Sequence, residues 1–418
     1  MKTKRLNGWV ITALIVGGIC YAASYSLPYI KGIFYGPMME ATGASNTQLG
    51  LIMSVYGFGN IVFNLIGGFF TDKWDYKKCI IFSLLGTTVL SVWLALAPSV
   101  VNMYIIWGLF GVTTFFVFNP SIFKFPRMIV PDELVGESVG FFSFAQAIGY
   151  MLTNFVSLYV YNLSEKRVGQ AASFSNVVWV YAAFTFVSAI ACIIVFRKVK
   201  DVKKDDGSEE DRFSFGQLSL VMKEPGLWLM IICGFCMYST MQTTSYFVPY
   251  YKDVFQVAVT FSGVLGVLNL YGGRLFSPVL GRIARQTKYV SRMIIFGACT
   301  LIVFIICILL FASYVPIGVL MGVSLITGIV CTLFTNICLA LPPEANVDRR
   351  ASGTAMGLYA AIAYSPDLFQ HSLFGFWLDK YGNSGYIRMF LFSIVLLTVG
   401  AVSAFILYQR SKKAHIFE

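Results

Sequence analysis

The sequence predicts an all-α membrane protein: twelve transmembrane helices in two pseudo-symmetric six-helix bundles, with both termini on the cytoplasmic side. Three observations carry this. Of 418 residues, 57% are hydrophobic and 12% are charged, about half the roughly 25% charge of a soluble domain, so lipid must cover much of the surface. Apolar runs long enough to cross a bilayer recur along the whole chain. Lysine and arginine fall mostly on one side of those runs. A transmembrane barrel would instead show alternating segments of about ten residues.

The runs lie near 9–34, 47–71, 79–97, 102–125, 138–160, 176–196, 226–249, 261–281, 293–313, 315–340, 352–374 and 385–408. The first follows "MKTKRLNGWV", which has no small-residue cleavage site and so does not read as a secretory leader. Near its outer end lies "SLPYIKGIFYGP", where a proline kink can turn Lys31 inward; otherwise Lys31 is an interfacial lysine. The second run leads into "GGFFTDKWDYKK" (67–78). The fourth ends in "NPSIFKFPRM", with Lys124 and Arg127 at a cytoplasmic mouth and Asn119 deeper, a candidate substrate contact. After the sixth run comes the longest charged stretch, 197–226. It divides the chain into an N-terminal bundle (1–196), a cytoplasmic central loop (197–225) and a C-terminal bundle (226–418).

With the N-terminus inside, the cytoplasmic segments hold 24 of the 31 lysines and arginines, six lie outside or near it, and Arg274 is left within a span. The net charge of +11 is therefore a topology signal and not a nucleic-acid surface. The nine cysteines lie almost all in apolar runs. Cys233 and Cys236 form a C-x-x-C inside a span with no second pair at zinc spacing, so they read as small packing residues and no metal is expected.

These features converge on a known pattern. "GGFFTDKWDYKK" resembles the G-x-x-x-D-[RK]-x-G-[RK]-[RK] motif of the major facilitator superfamily, with Gly68, Asp72, Lys73, Lys77 and Lys78 matching and Asp75 and Tyr76 departing. The second-half loop "GRIARQTK" keeps Gly281 but has Arg285 at the acidic position. "GFWLDKYG" (375–382) resembles the turn between the family's last two helices, and residues 30–60 resemble the YihN-type subgroup of bacterial permeases. The fifth run lacks the Gly-Pro pair of the antiporter signature. The resemblance implies a multi-pass transporter of a bacterial cytoplasmic (inner) membrane. It also implies two bundles rocking about a midplane site and a conformational gating role for the five matching motif residues. A monomer in membrane lipid is expected.

The intramembrane polar residues carry the chemistry. Arg274, in "GVLGVLNLYGGRLFSPVLG" (263–281), costs about 2.5–3.5 kcal/mol at the bilayer centre on insertion scales. It is read either as the ligand of an anionic substrate group or as half of a structural ion pair. Gly263, Gly266, Gly272 and Gly273 would let neighbouring helices approach closely. Asp367, in "AYSPDLFQHS", is the deep carboxylate: a proton-coupling site, a partner for Arg274, or a residue of the outer mouth. Gln370 and His371 follow at i+3 and i+4 on its face; His371 is a proton-relay candidate or a plain polar residue. Tyrosines that keep a buried hydroxyl need partners, so Tyr271 and Tyr359 join Arg274, Lys31, Asn119 and Gln370 as substrate-binding candidates.

No phosphate-binding loop occurs and no nucleophile–base set is visible, so neither an ATP-driven pump nor an enzyme is expected, and no cofactor. The expected function is secondary active transport of a small organic anion (sulfonate, carboxylate or sugar acid), proton-coupled or exchange-driven. The alternative is transport of a neutral sugar or amphiphilic drug, with Arg274 and Asp367 as a structural charge pair.

Overall fold

The structure is a computed structural model and describes residues 7–71, 74–131, 134–202, 219, 221–347 and 352–413. Among them the regular structure is helical, as a chain that must satisfy its backbone inside lipid requires. Seven of the helical runs are by length and composition alone long and apolar enough to cross a membrane. Contacts divide the chain into two compact units. Unit 1 is Met1–Asp206 with Ala258–Val267, and unit 2 is Gly207–Val257 with Leu268–Glu418.

In unit 1 the first expected span is broken in two, α1 (Gly8–Ser26) and α2 (Lys31–Thr42). Pro28 lies in the break, where its missing N–H cannot continue the ladder, and its carbonyl accepts from Trp107 Nε1 at 3.0 Å. Gly43, at φ 68°, closes α2 in the left-handed region that favours glycine. α3 (Asn46–Thr71) opens with a reciprocal capping box between Ser45 and Gln48. α4 (Tyr76–Leu96) is capped by Asp75, which accepts from the N–H groups of Lys77 and Lys78.

The fourth span is composite: α5 (Val100–Phe110), an eight-residue π-helical stretch (Gly111–Phe118) and α6 (Asn119–Met128). α7 (Val135–Phe196) merges the fifth and sixth spans, with Gly169 at φ 80° between them. The two arms double back: Tyr181 donates to Asn154 Oδ1 at 2.6 Å, although 27 residues of straight helix would hold them about 40 Å apart. α1 packs tightly on α7, where a Cβ on Gly18 would come within 2.6 Å of the Phe142 carbonyl oxygen.

In unit 2 the seventh span breaks into α8 (Pro225–Thr244) and α9 (Phe247–Phe255). α10 (Val259–Gln286), whose first residues group with unit 1, continues helically through Gly281 and Arg285, where a loop was expected. Then come α11 (Val290–Phe311) and α12 (Ile317–Ile337). The eleventh span is α13 (Ser352–Ala363) followed by α14 (Pro366–Tyr381), and α15 (Ser384–Lys413) ends the bundle. Pro366 does more than kink its helix. It starts a new one at the first position, where a missing N–H is harmless, and this places Asp367 in the first turn of a half-helix.

Candidate functional site

Each unit carries a polar cluster, buried in unit 2 and half-buried in unit 1. In unit 2 it joins α8 to α14. Asp367 is 3% exposed and accepts from Tyr238 Oη at 2.7 Å and from Gln242 Nε2, while Gln242 also donates to Tyr238 Oη at 3.0 Å. Tyr238 and Gln242 are one turn apart, so α8 presents both donors to one carboxylate. The start of α14 adds the partial positive charge of a helix N-terminus. One turn further on, Gln370 is fully buried. It accepts from Ser239 Oγ at 2.6 Å and donates to the Ser239 carbonyl and Thr243 Oγ1. His371 meets Tyr246, whose Oη lies 3.2 Å from Nδ1. Asp367, Gln370 and His371 thus share the face expected of them, and that face is turned to α8 and to the break that follows it.

Tyr359 is buried, with its hydroxyl against Gly234, where a Cβ would come within 2.3 Å. Arg274 lies near the middle of α10, about 18 Å from Gln286 along the axis, deeper than the expected helix end at Gly281 implied. It is half-buried, and Tyr271 is buried one turn earlier on the same stripe. The adjacent Gly273 lets α10 meet α12: a Cβ there would come within 2.8 Å of Thr332 and 2.9 Å of the Ile329 carbonyl oxygen. Gly263, in the first part of α10 that groups with unit 1, packs against Leu158 of the same unit. Cys233 and Cys236 are packing residues against Gly400 of α15.

In unit 1, Lys31 opens α2 and is 3% exposed, with Nζ 5.8 Å from the Tyr35 ring centre, so the break at Pro28 does bury it. Asn119 is the junction of a hydrogen-bonded chain. Its Oδ1 accepts from Tyr25 Oη at 3.2 Å, its Nδ2 donates to Asn64 Oδ1 at 2.8 Å, and Asn64 Nδ2 donates to Asn60 Oδ1. Tyr25 also donates to the Thr114 carbonyl in the π-helical stretch, and Tyr56 Oη lies 3.0 Å from Thr114 Oγ1.

Of the gating motif, Asp72 and Lys73 lie outside the described residues, and Gly68 is near the end of α3. Lys77 forms an ion pair with Asp201 at 2.8 Å and donates to the Val199 carbonyl. The two departures from the motif have work of their own: Asp75 caps α4 and Tyr76 donates to Asp201. Lys78 offers its backbone N–H to Asp75. Sequence reasoning missed Gln242, Asn60 and Asn64. The signal available was polarity within an apolar run, as in "GNIVFN". It also missed Asn269, which is 1% exposed with neither amide atom hydrogen-bonded and lies opposite Gly328 of α12.

The chain is 27% identical to the inner membrane protein YihN of Escherichia coli (strain K12) over 424 aligned positions, covering 98% of this chain and 97% of that one. It is 24% identical to the inner membrane protein YqcE of the same organism, covering 99% and 98%. Among solved structures it resembles a bacterial homologue of the human lysosomal transporter Spinster in an inward-facing, unoccupied conformation (TM-score 0.72, 13% identity, 98% and 99% covered). It also resembles the nucleoside transporter NupG (TM-score 0.71, 13% identity, 97% and 99% covered). The sequence profile of the Major Facilitator Superfamily matches residues 10–369, and this multi-pass inner-membrane protein belongs to that superfamily of transporters.

Proposed function

We propose that the protein is a secondary active transporter of a small organic anion, with Arg274 as the group that meets the anion and Asp367 as the coupling carboxylate. The observation that carries this reading is the setting of Arg274. A guanidinium half-buried near the middle of a 28-residue membrane helix is expensive in hydrocarbon and belongs on a watery cavity, where its planar fork suits carboxylate or sulfonate. Asp367, held by Tyr238 and Gln242 where α14 begins, has the two protonation states that coupling needs. Lys31, Asn119, Tyr271, Tyr359, Gln370 and His371 support the reading as binding, relay or positioning residues.

The test is anion binding by purified Arg274→Lys and Arg274→Ala. Lysine keeps the charge and loses the fork, so binding weakens but survives; alanine removes binding, at a cost of about 2–5 kcal/mol. Wild-type binding in a folded Arg274→Ala refutes the reading and moves a neutral substrate ahead.

A further inference from the structure

The amide chain of unit 1 has a direction. Tyr25 Oη donates to Asn119, Asn119 donates to Asn64, and Asn64 donates to Asn60. Each carbonyl in the chain is used as an acceptor, so the outer end is the Nδ2 donor group of Asn60. The inner end is anchored, because the single Tyr25 hydroxyl proton is shared between Asn119 Oδ1 and the Thr114 carbonyl, both at 3.2 Å. Donation in one sense along such a chain polarises each bond in turn and strengthens the last donor.

The place of that donor points to a ligand. Asn60 and Asn64 lie 14 and 18 residues into the 26-residue α3, about 21 and 27 Å along its axis, and both are half-buried. The exposed apolar stripe of α3 is Leu51, Phe58 and Ile66. Asn60 is two residues from Phe58 and Asn64 two from Ile66, each about 200° round the helix, so the amides face away from the stripe suited to lipid. An amide at that depth needs partners or water.

The frame is fixed on both sides of the pair. A Cβ on Gly59 would come within 3.1 Å of the Gly111 Cα, and one on Gly67 within 2.1 Å of the Phe116 carbonyl oxygen. α3 therefore touches the π-helical stretch backbone to backbone, a rare local geometry often found at functional sites. Aromatic rings flank the chain: Tyr56 with Phe115 at 4.7 Å between centres, and Tyr21 with Tyr25 at 4.6 Å. Fixed amides beside aromatic faces, with no charged member in the chain, suit the hydroxyls and C–H faces of a polyhydroxylated molecule.

We propose that Asn60 and Asn64 form a binding site for the hydroxyl groups of a polyhydroxylated solute of the sugar-acid class. This rests on the anion reading above. The experiment measures binding of two matched pairs, glucuronate with cyclohexanecarboxylate and gluconate with hexanoate, to the purified full chain. Wild type binds the hydroxylated member more tightly. Asn60→Ala, which removes the terminal acceptor of Asn64 Nδ2 and is checked for folding by thermal melting, weakens the hydroxylated member about tenfold and leaves its partner unchanged. Asn64→Leu does the same, with folding followed by thermal melting.

Equal binding of both members by wild type, or equal weakening of both in Asn60→Ala, overturns the proposal. Binding of neither member of either pair overturns it together with the anion reading. If Arg274→Ala keeps its binding of the hydroxylated member while Asn60→Ala loses it, the anion reading alone fails and the amide site stands.

Discussion

The two polar clusters are built from different chemistry. In unit 1 a tyrosine and three asparagines form a neutral chain. In unit 2 a tyrosine and a glutamine converge on a carboxylate. The neutral chain has one protonation state at any physiological pH, so it can only recognise. The carboxylate has two, so it can also report or move a proton. Two glycine contacts of helix packing differ as well. In unit 1 the glycine of closest approach, Gly67, faces backbone, whereas Gly328 in unit 2 faces the side chain of Asn269.

The largest effect should come from that packing contrast. Gly67→Ala puts a methyl within 2.1 Å of the Phe116 carbonyl oxygen, and neither backbone can give way without α3 leaving the π-helical stretch. The loss should reach or exceed the top of the about 1–3 kcal/mol range for overpacking, visible as little folded protein on size-exclusion chromatography. Gly328→Ala meets Asn269 Oδ1 at 2.6 Å and its Cβ at 2.8 Å; rotating the amide relieves the first contact and a shift of a few tenths of an ångström the second, so its melting temperature should fall, but by less than the loss at Gly67. Equal behaviour of the two variants would dissolve the contrast.

Next comes the carboxylate itself. Asp367→Asn keeps the shape and removes the second protonation state. In proteoliposomes, accumulation against a gradient should disappear while exchange down a gradient survives. Normal accumulation would show that Asp367 is not the coupling group, and unit 2 would then differ from unit 1 in composition only.

A smaller effect separates the two tyrosines. Tyr238→Phe removes a donor to a carboxylate, worth about 1.5–3 kcal/mol, and Tyr25→Phe removes a donor to neutral acceptors, worth about 0.5–1.5 kcal/mol. Thermal melting of the two variants side by side reads the difference. A larger loss for Tyr25→Phe would mean that the neutral chain, not the carboxylate, holds the greater share of the buried polar energy.

Most of the fold was legible in the sequence because its signals are bulk properties: hydropathy sets the spans and lysine–arginine asymmetry sets the sides. Arg274, Asp367 and Lys31 stood out for the same reason, since a formal charge in an apolar run is rare enough to notice. The breaks were only half legible. Pro28 and Pro366 announced disturbances, but whether proline bends a helix or begins a new one depends on where the freed carbonyls find donors, as the Pro28 carbonyl does with Trp107. The amide chain was not legible, because one asparagine in an apolar run means little. Asn60, Asn64 and Asn119 acquire meaning only once the π-helical stretch brings α6 alongside α3. The dual use of Asp75 and Tyr76 was hidden because Asp201 lies 125 residues away from Tyr76.

The smallest effect concerns the helix ends, where the units differ again. α4 in unit 1 is capped by its own neighbour Asp75, which is exposed. α11 in unit 2 is capped from a distant turn: Glu344 accepts from the backbone N–H of Ser291 at 3.0 Å and from its hydroxyl, and it is 3% exposed. Burial pushes the Glu344 carboxyl up from its ordinary value, and the hydrogen bonds from Ser291 only partly oppose that. The folded chain therefore holds this proton more tightly than the unfolded chain, whose glutamates titrate near about 4.3. The resulting stability is present at acid pH and is lost as pH rises through the folded value. Glu344→Gln keeps an acceptor for Ser291 and removes the titration. The melting temperature of wild type minus that of the variant should fall by a few degrees at most as pH rises from about 4 to neutrality. A difference that rises over that range would mean that the hydrogen bonds to the carboxylate outweigh its burial, and the remote cap would then be as well satisfied as the local one.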